Sequence, residues 1–291
     1  MNLGFVGVGP WAQKLAAAFR ECGAEVVAID RKRADEYPPN CFASEKYVYQ
    51  SWRGQIENPT IDAIIACAPP DVTTAVALEC AKAGKRCVAT KPLMWTEMPL
   101  RFSSYERLTT CLYVDLWRLY SPAWLAMKEE LRGKKIDRID VAFCGNGPFR
   151  SFNGALDYGP HALAFVFDLM GTTGAQFDGD PYCDTSQVDG GRTYIGGLRC
   201  ADAFVTYRIG NGSGKPERSV RVRVGDVDYT WSEPDGCPEE FYRPGEPIMF
   251  CAKTHSLRRF CRAFMAGEPS RTLEYSICAQ RLLERIIGAA K

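Results

Sequence analysis

Leu3-Gly4-Phe5-Val6-Gly7-Val8-Gly9-Pro10-Trp11-Ala12 is an apolar run broken by glycines, and a helical pattern follows through Lys14-Leu15-Ala16-Ala17-Ala18-Phe19. These residues set a strand, a tight turn and a helix N-terminus in succession. Gly7 can take the backbone angles the turn needs, and Gly9 lets the main chain approach a phosphate. Ala12 keeps the helix close to its strand, while the helix N–H groups and dipole face the anion. After a stop at Gly23, Glu25-Val26-Val27-Ala28-Ile29-Asp30 reads as a second strand ending in an acid. An acid about 20 residues past the glycines is placed to accept hydrogen bonds from an adenosine ribose. Strand, turn, helix, strand and acid together predict a dinucleotide site holding Gly7, Gly9, Pro10, Trp11, Ala12 and Asp30.

The 291 residues suffice for two domains with an ample apolar core. A formal charge of +1 offers no bulk attraction to nucleic acid or an anionic membrane. No apolar run reaches the length of a membrane span, and the N-terminus runs straight into a strand without a secretion-signal pattern. A soluble, cytoplasmic protein with neither nucleic acid nor membrane as partner is expected. Of the 13 cysteines none pair as C-x-x-C, and most sit in apolar stretches, which predicts free thiols acting as small hydrophobes. Cys251, His255 and Cys261 lack a second ligand pair, so no metal is expected.

Up to about residue 117 strands and helices alternate. Ile61 to Cys67 reads as a buried strand stopped by Pro69 and Pro70, Val72 to Ala83 as a helix, and Arg86 to Ala89 and Cys111 to Asp115 as further strands. Such βαβ arithmetic predicts a doubly wound parallel sheet over residues 1–117. From 118 to 291 the texture changes. A helix over Pro122 to Leu131, a strand over Ile136 to Phe143 and a helix ending at Met170 precede strand-like stretches at 193–198, 203–209, 219–224 and 227–231. Gly and Pro turns separate these stretches, which predicts a second α/β domain on a large, mostly antiparallel sheet. Closing helices are expected over His255 to Ala266 and Leu273 to Ala289.

Three places carry candidate chemistry. Thr90-Lys91-Pro92 ends a strand, at the edge that faces the ligand crevice of an open α/β sheet, so Lys91 is expected to point at the nicotinamide region. Taken alone, Lys91 fits a solvated surface lysine equally well. Asp157 and His161 stand four apart around a helix start, on one side of that helix. Pro160 is tolerated in a first turn, which predicts that the helix begins near Gly159 and aims its positive end at the same spot. Histidine titrates near neutral pH and can exchange a proton with a substrate oxygen, although a packing histidine is the rival reading. Trp117, Tyr120 and Tyr158 form an aromatic cluster able to stack on a sugar or a nicotinamide ring, or simply to pack a core.

In order along nearly the whole chain, Gly7-Val8-Gly9-Pro10-Trp11-Ala12, Asp30, Ala68-Pro69-Pro70, Lys91-Pro92 and Gly154 to His161 resemble the glucose–fructose oxidoreductase/inositol dehydrogenase/MocA family. The resemblance implies a Rossmann domain followed by an α/β domain whose open sheet mediates homodimers or homotetramers. It also implies hydride transfer between NAD or NADP and a hydroxyl of a sugar or cyclitol. Lys91 would contact substrate and nicotinamide, Asp157 would bind substrate or relay a proton, and His161 would be the acid/base. Ala68, Pro69 and Arg31 join the cofactor residues, and Trp117, Tyr120 and Tyr158 the substrate residues. The chain departs from the family pattern at Thr90, where Glu is usual, and at Val72-Thr73-Thr74, where a histidine often stands. Asp30 favours NAD, whereas Arg31, Lys32 and Arg33 can accommodate the 2′-phosphate of NADP. A cofactor-binding sensor without catalysis, and a glycosidase-like enzyme using bound NAD, remain alternatives.

Overall fold

The computed structural model describes residues 1–30, 47–49, 51–93, 111–146, 153–171, 177–188, 191–234, 237–243, 245, 249–251 and 253–290. Two units result: Met1–Asp115 with Leu257–Glu274, and Leu116–Ser256 with Tyr275–Lys291.

The first unit is built on a six-stranded sheet. Its strands are β1 (Asn2–Val6), β2 (Glu25–Asp30), β3 (Tyr47–Tyr49), β4 (Ala63–Ala66), β5 (Arg86–Ala89) and β6 (Leu112–Val114), in the spatial order β3-β2-β1-β4-β5-β6. Every pairing is parallel. That order is the one in which two mononucleotide-binding halves meet between β1 and β4, leaving a crevice where the connections diverge. β4 is buried along its whole length, as a parallel strand covered on both faces should be. Helices α1 (Pro10–Glu21), α2 (Trp52–Glu57) and α3 (Pro70–Lys82) are the crossovers. Proline at the first helical position starts both α1 and α3, where its missing N–H has no helical partner to lose.

An eight-stranded sheet carries the second unit. It comprises β7 (Arg138–Asn146), β8 (Phe177–Val188), β9 (Gly191–Cys200), β10 (Ala203–Gly210), β11 (Gly212–Val224), β12 (Val227–Ser232), β13 (Glu239–Tyr242) and β14 (Met249–Cys251). Its order is β14-β13-β12-β11-β7-β10-β9-β8, antiparallel except for the β7–β10 pair. One face alternates in burial with the other. Ile139, Val141, Phe143, Val205, Ile209, Val220 and Val222 are buried, while Arg138, Phe204, Arg208, Arg221 and Arg223 are exposed. Helix α4 (Pro122–Glu130) and the long helix α5 (Gly154–Met170) belong to this unit. The closing helices are α6 (Lys253–Ala266) and α7 (Thr272–Ala289).

Two sequence expectations change. Helix α5 starts at Gly154, five residues before Gly159, because the Asn153 carboxamide oxygen caps it by accepting from the Ala155 N–H at 2.9 Å. Pro160 therefore lies inside the helix, where its ring withholds an N–H from the Leu156 carbonyl. Strand β8 lies outside the strand-like stretches read from the sequence. Gly179 and Pro181 hide its alternation, and the pairing with β9 shifts register between Asp178 and Tyr182.

Candidate active site

The carboxyl ends of the parallel strands place the expected cofactor residues together on one edge of the first unit. Gly7 follows β1 with φ +90°, a conformation that L side chains rarely adopt, and a Cβ there would lie 2.3 Å from the Cys67 carbonyl oxygen. Only glycine fits. The turn can then run flush against the β4 exit, where the Cys67 N–H donates to the Val6 carbonyl at 2.7 Å. Gly9 is the extended N-cap of α1 and offers no side-chain cap, and a Cβ built on it meets nothing within 4 Å. No side chain caps this helix N-terminus and the space beside Gly9 is open, the arrangement that suits a phosphate. Ala12 is 1 % exposed and packs within the unit. Asp30 ends β2, beside Tyr49 of β3 in the ladder. Arg31 lies outside the described residues.

Beyond β4, Ala68 and Pro69 form the approach to α3. The Thr73 hydroxyl brackets Ala68, donating to its carbonyl at 2.9 Å and standing 3.1 Å from its N–H. Thr90, just past β5, donates through both its N–H and its hydroxyl to the Ala66 carbonyl, at 2.9 and 3.1 Å. Its side chain thus turns back onto the sheet edge. Lys91 comes next, half-buried, on a cis peptide to the buried Pro92.

Sequence reasoning missed Asp115 in this group. It is 2 % exposed at the β6 exit, and its Oδ2 accepts from the Trp11 indole N–H at 2.5 Å. Trp11, expected only as a cofactor contact, thereby ties the start of α1 to the end of β6. Burial, followed by the Asp115 charge, pushes the Cys67 thiol well above its usual range, so this sulfur stays protonated. The signal was available in principle, because an acid closing an apolar strand is unusual.

In the second unit α5 carries Asp157, Tyr158 and His161. Asn153 holds the helix start, its amide donating to the Tyr194 hydroxyl at 2.6 Å, and a Cβ on Gly154 would fall 2.3 Å from the Asn211 Oδ1. Asp157 occupies the first turn, so the positive end of the dipole favours its carboxylate rather than aiming at His161, which lies a turn further in. The four-residue spacing keeps the two on neighbouring positions of one helix face. His161 is 6 % exposed and stacks on Phe143, with centroids 6.5 Å apart and planes 26° from parallel. Phe143 in turn stacks on Trp231 at 6.1 Å. The Tyr158 ring fills the space over Gly145, where a Cβ would meet its hydroxyl at 2.4 Å. Trp117 and Tyr120 lie on a 3-10 turn, Trp117–Tyr120, of the same unit.

A buried charge cluster stands among these aromatics. Arg118 grips Glu233 with two bonds of 2.5 and 3.2 Å, and Lys253 adds a third at 3.1 Å. Burial alone would raise the Glu233 carboxyl, but Arg118, Arg218 and Lys253 hold it below the usual range. Glu239, fully buried beside them, is pushed up to about 7, by burial first and by the Glu233 charge second. The Ser256 hydroxyl lies 3.1 and 3.0 Å from its two oxygens. A carboxyl raised in the fold binds its proton more tightly there than in the unfolded chain. Its contribution is therefore full below the unfolded value near 4.5 and is lost as pH rises through about 7. Glu239→Gln should accordingly flatten the fall in melting temperature between mildly acidic and mildly alkaline buffer. An equal slope in wild type and variant would contradict this.

Among the described residues no helix is long and apolar enough to cross a membrane. Residues 1–104 match the Gfo/Idh/MocA family model, described as "Oxidoreductase family, NAD-binding Rossmann fold". No curated protein matches the chain. Among solved structures, KijD10, a 3-ketoreductase from Actinomadura kijaniata in complex with NADP, is 17 % identical, with a TM-score of 0.75 over 100 % of this chain and 98 % of that one. The MviM dehydrogenase from Clostridium difficile is 17 % identical, with a TM-score of 0.76 over 99 % of each chain. GenD2 from gentamicin A biosynthesis, in complex with NAD, is 14 % identical, with a TM-score of 0.76 over 99 % of this chain and 93 % of that one. At these identities the likeness is one of fold. Its first 104 residues thus match an oxidoreductase family with an NAD-binding Rossmann fold, and the whole chain shares its fold with these solved structures.

Proposed function

We propose that the chain transfers a hydride between NAD(P) and a secondary alcohol or ketone of a sugar, a cyclitol or a related small molecule. The observation that carries this reading is the Gly7 turn, closed against Cys67 and opening onto an uncapped helix N-terminus within the strand order β3-β2-β1-β4-β5-β6. Gly7, Gly9 and Pro10 would cradle the pyrophosphate, and Asp30 would accept from the ribose. Ala68, Pro69 and Lys91, on the same sheet edge, would flank the nicotinamide end. When bound, the cofactor supplies the hydride donor or acceptor. His161 gives or takes the proton of the substrate oxygen, Lys91 steadies negative charge developing there, and Asp157 orients His161 or holds a neighbouring hydroxyl. Trp117, Tyr120 and Tyr158 would offer stacking surface to the substrate ring. Sugar-ring chemistry is favoured by the aromatic and carboxylate groups around α5, and a ketoreductase and a gentamicin-pathway protein share the fold. Cytoplasmic placement suits free thiols such as Cys80 and Cys87.

Asp30 inclines the site to NAD, since a carboxylate repels a 2′-phosphate. Fluorescence titration with NADH and NADPH in parallel tests both points. Saturable binding with NADH the tighter is expected, and absence of binding to either would overturn the reading. Assays of NAD- and NADP-linked oxidation over a panel of aldoses, cyclitols and nucleotide-linked sugars then test the substrate class.

We further propose homodimers or homotetramers through the open face of the eight-stranded sheet. That face exposes Ile195, Phe204 and Tyr242 by 42 %, 42 % and 37 %. They line a groove of about 1110 Å³ together with Arg138, Arg208 and Arg221. Light scattering should give a dimer or tetramer for the wild-type chain and a smaller species for Phe204→Glu. A monomeric wild type would contradict the proposal.

A further inference from the structure

We infer that Arg118, clamped by Glu233, is a positioning residue that fixes Trp117 and, through Phe143, the His161 imidazole. This rests on the acid/base role proposed for His161. The Arg118 guanidinium lies 4.4 Å from the Trp117 ring centroid and 6.0 Å from that of Phe143, whose face His161 stacks upon. One planar group thus abuts one aromatic expected to face the substrate and another that bears on the histidine. Its own orientation is set by the two-point grip of Glu233, whose side chain is 3 % exposed against 12 % for Arg118. A buried ion pair is weak support for a fold, since apolar residues of like volume serve as well. What it does supply is direction. A forked guanidinium held at two points cannot swivel, whereas an ammonium in its place could. Phe143 is also backed by Trp231 at 6.1 Å and 7°, so the His161 ring rests on a stack fixed from two sides.

The chain has two histidines, His161 and His255, and His255 is exposed. A His255→Gln background therefore leaves a single imidazole, whose Cε1–H resonance can be followed in the intact protein. Spectra are taken well above the ordinary imidazole range, so that protonation does not contribute. The Phe143 ring current contributes to the His161 shift. In Arg118→Lys, and independently in Glu233→Gln, the resonance should shift while the methyl spectrum stays that of a folded protein. An unmoved resonance in the folded variants would overturn the inference. Loss of the fold in both variants would also overturn it, because the pair would then be structural. The reading needs neither cofactor nor substrate, so it fails separately from the catalytic assignment, which falls if His161→Ala keeps full turnover.

Discussion

Gly7→Ala is expected to lose at least about a hundredfold in dinucleotide affinity, the equivalent of one or two hydrogen bonds to a charged phosphate. The reason is geometric. At φ +90° the added methyl would sit 2.3 Å from a backbone oxygen of Cys67, and neither the turn nor the β4 exit can yield without misdirecting the N–H groups of α1. A backbone held in this region by a non-glycine residue costs roughly 1–3 kcal/mol, so the melting temperature should fall as well. Gly9→Ala separates ligand from fold. Its φ is −64° and its Cβ would meet nothing within 4 Å, so this variant should melt with the wild type. If Gly9→Ala nevertheless binds NADH weakly, the main chain at residue 9 touches the ligand. If both variants bind NADH as the wild type does, the pyrophosphate lies elsewhere.

Turnover carries the second large effect. Lys91→Ala and His161→Ala should each lower kcat by at least about a hundredfold, the ordinary loss when a charge stabiliser or a proton carrier is removed. NADH affinity should be largely kept in both. Lys91 follows β5 and His161 lies on α5 in the second unit, so neither belongs to the glycine turn that would hold the pyrophosphate. Steady-state rates near wild type in both variants would refute the assignment.

The first unit was more legible than the second because its signals are local. A glycine turn, a proline-started helix and an acid at a strand end each declare themselves within a few residues. The Trp11–Asp115 bond was not legible, since it joins positions 104 residues apart and neither side chain announces its partner. In the second unit, alternation marked β9 to β12 but failed for β8, where Gly179 and Pro181 interrupt it. Pro160 misled the reading of α5. Proline usually marks a first turn, yet here the Asn153 cap and burial of the helix from Gly159 to Phe167 outweigh the missing hydrogen bond. Arg118, Glu233 and Glu239 had no pattern of their own. Their meaning is tertiary, and arises only once β12, β13 and the Trp117–Tyr120 turn are brought together.

In the proposed reaction Lys91 and His161 serve the same transition state. A double-mutant cycle on kcat/KM, with Lys91→Ala, His161→Ala and the combined variant on one sugar substrate, tests it most directly. Groups that act as a unit lose most of their effect together, so the account predicts a combined variant little slower than the worse single one. Losses that multiply in full would contradict it, for the lysine and the histidine would then be working independently.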